Sequence, residues 1–218
     1  MIMKKLMLPA LALLLAFGAC KKAEDKAKDE NAVDTTATVK TEPAEAAKPM
    51  DSAAVEKAWT AYMTPGEPHK MMAAEVGAWT TESTMWMGAD APPQKSTGSA
   101  DVKMVYGGKY QQSVHKGMAM GMPFEGTATV AYNNASKKYE STWIDNMGTG
   151  MMFLTGDYDA ATKAITFTGK CADPISGSEK SLREIWTAVD DNTRKMEMFE
   201  TGPDGKEYKS MEMIMKRK

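Results

Sequence analysis

From Gly77 to Lys218 the chain alternates apolar and polar residues with a period of two. The alternation is punctuated by turn-forming pairs. The separators are Pro92-Pro93, Gly107-Gly108, Gly117, Asn133-Asn134, Asn146-Met147-Gly148, Asp157-Tyr158-Asp159, Ser176-Gly177, Asp190-Asp191-Asn192 and Pro203-Asp204-Gly205. They divide the region into about ten strands, near 77–87, 96–106, 108–116, 123–132, 138–145, 149–157, 163–170, 180–189, 194–200 and 206–216. None of the separators has room for a crossover helix, so parallel pairing is disfavoured and an antiparallel meander is expected. Ten strands with little helix to cover them leave an edge problem. Closure into an up-and-down barrel solves it, and the short connections suit a barrel better than a Greek-key sandwich. The expected fold class is therefore all-β: a closed antiparallel barrel over 77–218, preceded by a short helix.

That helix falls within 51–76. Val55, Trp59, Tyr62 and Met63 share one face at helical spacing, Ser52 or Asp51 can cap its start, and Pro65-Gly66 stops it. A second short turn or helix is expected through His69–Glu75.

Ahead of it, Lys4-Lys5 precedes an apolar run from Leu6 to Phe17, followed by Gly18-Ala19 and Cys20. Basic, apolar and small regions in this order form a secretory leader, and the run is too short for a permanent membrane span. A cysteine directly after the small residues resembles the bacterial lipoprotein signal, in which that thiol is acylated and becomes the new N-terminus. Phe17 departs from the Leu usual at that position. The expected organisation is a signal peptide over 1–19, lipidation at Cys20, and a disordered tether to residue 50. Residues 21–50 hold no Phe, Trp or Tyr and bury too little apolar area to offset ordering. The expected address is the cell envelope, anchored to a membrane, with the outer membrane favoured.

Removing 1–19 takes away Lys4 and Lys5, leaving 25 Lys+Arg against 29 Asp+Glu, a net charge of −4. That balance argues against a nucleic-acid partner and against electrostatic docking on anionic lipid. With Cys20 acylated, Cys171 has no disulfide partner. It sits on a strand entering a turn, with neither a histidine nor a helix N-terminus beside it, and reads as an inert thiol.

Several stretches resemble the bacterial family called domain of unknown function 1579 (DUF1579). They are His69-Lys-Met-Met72, Val76-Gly-Ala-Trp79, Met85-Trp-Met-Gly88 with Ala91-Pro-Pro93, Tyr106-Gly-Gly-Lys-Tyr110, Gly121-Met-Pro-Phe-Glu-Gly126, Tyr139 to Gly150, and Gly202 to Glu207. The resemblance covers roughly 68–216 and implies a lipocalin-like (calycin-like) barrel. It implies no activity and no catalytic residues.

The candidate site is the barrel interior. Alternation puts Tyr139, Ser141, Trp143 and Asp145 on one strand face, and Leu182, Glu184, Trp186 and Ala188 on another. With Trp79, these aromatic and acidic side chains (Trp79, Tyr139, Trp143, Asp145, Glu184, Trp186) outline a cavity for a small apolar ligand. Against that stands a barrel simply filled by its side chains, with Asp145 bound by backbone amides at a strand end, and a protein that works through its surface. Asp145 and Glu184 converging on one cavity, both with raised pKa values, would instead suggest acid–base chemistry. No metal is expected: His69 and His115 are the only histidines, and no zinc-ligand spacing occurs. Neither a nucleophile elbow nor a phosphate loop nor a dinucleotide fingerprint is present, so no catalytic residue and no cofactor are assigned. Twenty-one methionines stand out, alternating at 118–122, 196–198 and 211–215. Thioethers can bind Cu(I), but they also fill irregular cores, and the second role is the expected one. A haem held through His115 is a further minor reading.

Overall fold

The computed structural model describes residues 51–218, apart from Pro203. The expected leader, Cys20 and the tether to residue 50 lie outside the described residues. Two helices, α1 (Ser52–Met63) and α2 (Glu67–Ala73), precede the strands. The strands are β1 (Gly77–Met85), β2 (Gln94–Val105), β3 (Tyr110–Ala119), β4 (Met122–Asn133), β5 (Lys138–Asp145), β6 (Met152–Asp159), β7 (Ala164–Ala172), β8 (Glu179–Asp190), β9 (Thr193–Thr201) and β10 (Glu207–Arg217). Each strand pairs antiparallel with its sequence neighbours, and β1 pairs with β10 from Trp79↔Arg217 to Met85↔Met211. The ten strands form a closed barrel with no free edge, as the alternation and the short connections require. Met118, Met120 and Met122 do not share a strand face: Met120 and Gly121, both at positive φ (50° and 77°), make the tight turn between β3 and β4.

α1 begins at Ser52, so its cap lies one residue before it. Asp51 is its cap, with one carboxylate oxygen accepting from Ala53 N at 3.4 Å. Its shared face does not join the core, because Trp59, Tyr62 and Met63 are all exposed. Asn134, in the β4–β5 turn, holds its C-terminal end by donating to the Ala61, Tyr62 and Thr64 carbonyls.

α2 closes one end of the barrel. His69 Nδ1 accepts from Gly66 N at 3.0 Å and starts the helix, while Met72 is buried against Tyr139, Leu154, Phe167 and Leu182. Trp79, at the start of β1, is wholly buried; its indole donates to the Glu75 carbonyl at 2.9 Å. The Arg217 and Arg194 guanidiniums lie over its ring at 4.3 and 5.5 Å. Arg217 donates to the Val76 and Ala74 carbonyls, and Arg194 pairs with Glu75 at 2.8 Å. Gln111 from β3 also donates to Glu75 and to the Met72 carbonyl. The last turn of α2 and both chain ends of the barrel are thereby tied together. The other end carries the 86–93, 146–151, 173–178 and 202–206 loops.

Two bulges adjust which residues point inward. On β10 the register shifts between Lys209 and Met211. The extra residue puts Lys209 on the outer face with Glu197 and Glu212, at 2.9 and 2.8 Å, while Met211, Met213 and Met215 face in. Unbroken alternation would have pointed Lys209 inward beside Met211 and buried an ammonium. The second shift, between Ala188 and Asp190 on β8, leaves Val189 half out in solvent.

Candidate functional site

The barrel encloses a cavity of about 560 Å³. Alternation explains its wall. Residues 111, 113 and 115 of β3, 139, 141, 143 and 145 of β5, 184 and 186 of β8, 196 and 198 of β9, and 211, 213 and 215 of β10 are inward-facing residues of these five strands. Tyr139, Trp143, Asp145, Glu184 and Trp186 all border this space, as the alternation places them. Trp79 does not. It is locked in the plug at the closed end by Glu75, Arg194 and Arg217, so its expected place in the ligand wall is corrected to a structural one.

Trp143 sits where Gly126 lies opposite Asp145 on the neighbouring strand. A side chain at 126 would overlap the indole, so the glycine is what gives the ring room. The ring stacks on Phe124 (6.2 Å) and meets His115 edge-on (5.4 Å). Its N–H donates to Asp145 Oδ2 at 2.6 Å, while Asp145 Oδ1 accepts from Met147 N and Gly148 N. Asp145 is thus a half-buried residue whose carboxylate is engaged by the Trp143 indole and by the β5–β6 turn.

Glu184 is different. On β8 it stands between Phe167 of β7 and Met198 of β9 in direct register. It is buried, and among the described residues its one hydrogen-bond donor is the Trp186 indole. Burial pushes its pKa up to about 7, only partly opposed by that hydrogen bond. Across the cavity, His115 Nε2 contacts Ser113 Oγ at 3.1 Å. Burial lowers its pKa to about 4, so its imidazole is uncharged at neutral pH. Burial also raises Tyr139 to about 12. Cys171, near the end of β7, is half-buried and its thiol is pushed up, chiefly by burial.

The methionines form a continuous tract. Met85, Met211 and Met198 occupy successive register positions on β1, β10 and β9, and the next position on β8 is Glu184. Met213, Met196 and Trp186 form the parallel row beside them. The sequence reading placed His115 near the site only as a minor haem ligand, and did not place Gln111, Ser113, Glu75 or Arg194 there. Period two does put 111, 113 and 115 together, but which face turns inward depends on pairing with β2 and β4. Glu75 and Arg194 lie 119 residues apart, and no local pattern links them. Among the described residues no group of three or more His, Cys, Asp or Glu side chains is placed to hold a metal ion.

A ten-stranded closed barrel, plugged by a helix at one end and hollow in the middle, defines a barrel-with-cavity architecture. Residues 64–217 match the family model described as "Protein of unknown function (DUF1579)", and the chain belongs to that family. No curated protein matches. Among solved structures, the S-type phycobiliprotein lyase CPES from Guillardia theta is 9% identical with a TM-score of 0.50, the alignment covering 73% of this chain and 96% of that one. It supports the fold alone. A redesigned β-barrel is 14% identical with a TM-score of 0.34, covering 67% of this chain and 94% of its own. A DUF3598 protein of unknown function from Nostoc punctiforme is 6% identical with a TM-score of 0.24, covering 71% and 100%. At those scores neither carries an argument.

Proposed function

We propose that this protein is a lipid-anchored component of the cell envelope whose barrel is a non-enzymatic binding module for a small, largely apolar molecule. The observation that carries the reading is the interior void of about 560 Å³, whose wall is largely apolar, rich in methionine and aromatic side chains, with polar groups set among them. A barrel filled by its own side chains would have no such space. Methionine walls suit this role because thioether side chains repack around different shapes.

An enzymatic reading meets one feature, the Ser113–His115 contact. Its imidazole is held near pKa 4 and is a weak base at neutral pH, and no oriented pair of donors faces Ser113 Oγ among the described residues. Labelling of Ser113 by a fluorophosphonate would argue for acyl transfer; no labelling is expected.

The test of binding is mass spectrometry of small molecules released on denaturing the mature protein isolated from its own membranes. A stoichiometric lipid-like or aromatic compound supports the proposal. Haem or copper would replace the apolar ligand by a cofactor. Failure to bind any hydrophobic probe, with nothing released, returns the protein to the surface-acting reading. The anchor is tested separately: Cys20→Ser should move the protein out of the membrane fraction, and unchanged partitioning removes the acylation proposal.

A further inference from the structure

We propose that the molecule held in the barrel is a lipophilic cation, with an ammonium head set against Glu184 and its apolar body along the methionine wall. The inference rests on the reading of the cavity as a ligand site and concerns the class of ligand it takes. It begins from a mismatch of charge. Glu184 is a carboxylate in the wall of a void, and among the described residues no cation faces it.

Each positive group near it is engaged elsewhere. On the same face of β8, Lys180 is paired with Glu200 of β9 at 2.5 Å. Arg194, further along β9, is committed to Glu75 and to the Asp190 and Thr193 carbonyls. From β7 the facing residue is Phe167, which has no charge. Of the other cations bordering the void, Lys116 pairs with Glu125 at 3.4 Å and Lys163 is exposed in the turn before β7. His115, on β3, is uncharged at neutral pH because burial disfavours its protonated form.

Burying an unpaired carboxylate is costly, so the empty barrel holds Glu184 protonated over part of the neutral range. A neutral guest leaves that cost in place, and an anionic guest adds to it. A guest that carries a positive charge removes it. The surroundings favour a diffuse organic cation over a hydrated metal ion. Trp186, two residues along the same strand, donates to Glu184, and Phe167 lies opposite Glu184 in register on β7. Aromatic faces attract ammonium groups, most strongly when water is excluded.

The test uses the full chain with Cys20→Ser, so that no acyl group is attached. The readout is displacement of the apolar fluorophore N-phenyl-1-naphthylamine by decyltrimethylammonium, decanol or decanoate. The cation is expected to displace the dye about tenfold more strongly than decanol, with decanoate weakest. Its advantage should grow from pH 5 to pH 8 as Glu184 ionises. The probe's own charge is constant, so the pH dependence belongs to the protein. Glu184→Gln should bring the cation down to the affinity that the same variant shows for decanol, and an unchanged circular dichroism spectrum shows that the variant is folded. Equal affinity for cation and alcohol in the wild type, or a preference that survives Glu184→Gln, overturns the inference and leaves the cavity reading standing. If neither dye nor decanol binds, both fall.

Discussion

The closed end of the barrel and its middle treat buried polar groups in opposite ways. At the closed end the polar groups around Trp79 are partnered. Arg194 meets Glu75, Gln111 meets Glu75 and the Met72 carbonyl, Arg217 meets the Val76 and Ala74 carbonyls, and the Trp79 indole meets the Glu75 carbonyl. In the middle, Glu184 has a single indole donor and His115 a single hydroxyl, and burial shifts both toward their neutral forms. Paired polar groups at the plug contribute to stability. Poorly paired ones beside a void cost stability, and a fold retains such groups most readily where a ligand uses them.

The comparison predicts its own largest effect at the plug. Trp79→Ala removes a fully buried ring from between two guanidiniums and should cost roughly 3–5 kcal/mol in chemical denaturation. A loss under about 1 kcal/mol would show that the plug is not the structural end.

The middle should show itself in pH dependence, where its two groups oppose each other. Glu184 rises from 4.5 to about 7 on folding, so its protonated form favours the native state below pH 4.5 and that contribution is lost as pH rises through 7. His115 falls from 6.5 to about 4, so its contribution is present above pH 6.5 and lost as pH falls through 4. Each amounts to roughly 3 kcal/mol. Relative to wild type, Glu184→Gln should therefore gain stability from pH 4.5 to 8. His115→Gln should gain it from pH 6.5 down to 4. Urea midpoints across pH measure both, and parallel curves for all three proteins would mean that neither group is buried in the way described.

Next in size is Arg194→Met. It keeps the packing stem but strips Glu75 of its charged partner. The expected cost is about 1–3 kcal/mol, and it should shrink in the double variant with Glu75→Gln. The smallest effect belongs to the outer surface. Lys138–Asp157 is a close pair at 2.6 Å, but both side chains are about half or more exposed, so Asp157→Asn should change stability by less than about 1 kcal/mol.

Much of the architecture was legible before folding was considered. Turn residues and alternation mark ten strands, and the strand ends differ from the structure by no more than a few residues, because a half-buried strand must alternate and a tight turn must use residues that tolerate it. The same logic correctly put Trp143 with Asp145, and Glu184 with Trp186, on shared faces. It misplaced Trp79, because one strand's pattern shows that a ring points inward but not how far along the barrel axis it sits. The apolar face of α1 was also misleading: period 3.6 predicts a face that can pack, and here nothing among the barrel residues covers Trp59 or Tyr62.

The amino-acid sequence by itself determined the strand count, the antiparallel order, which side chains share a face between bulges, and the family. These follow from neighbours a few residues apart and from the period of the backbone. Tertiary structure alone decided three things. The bulge at Ser210 turned Lys209 outward, Glu75 was set against Arg194 to seal one end, and Glu184 was set in the cavity wall with no cation among the described residues to meet it. Those outcomes depend on where distant strands come to rest against one another, and closure of the barrel, not local pattern, sets that.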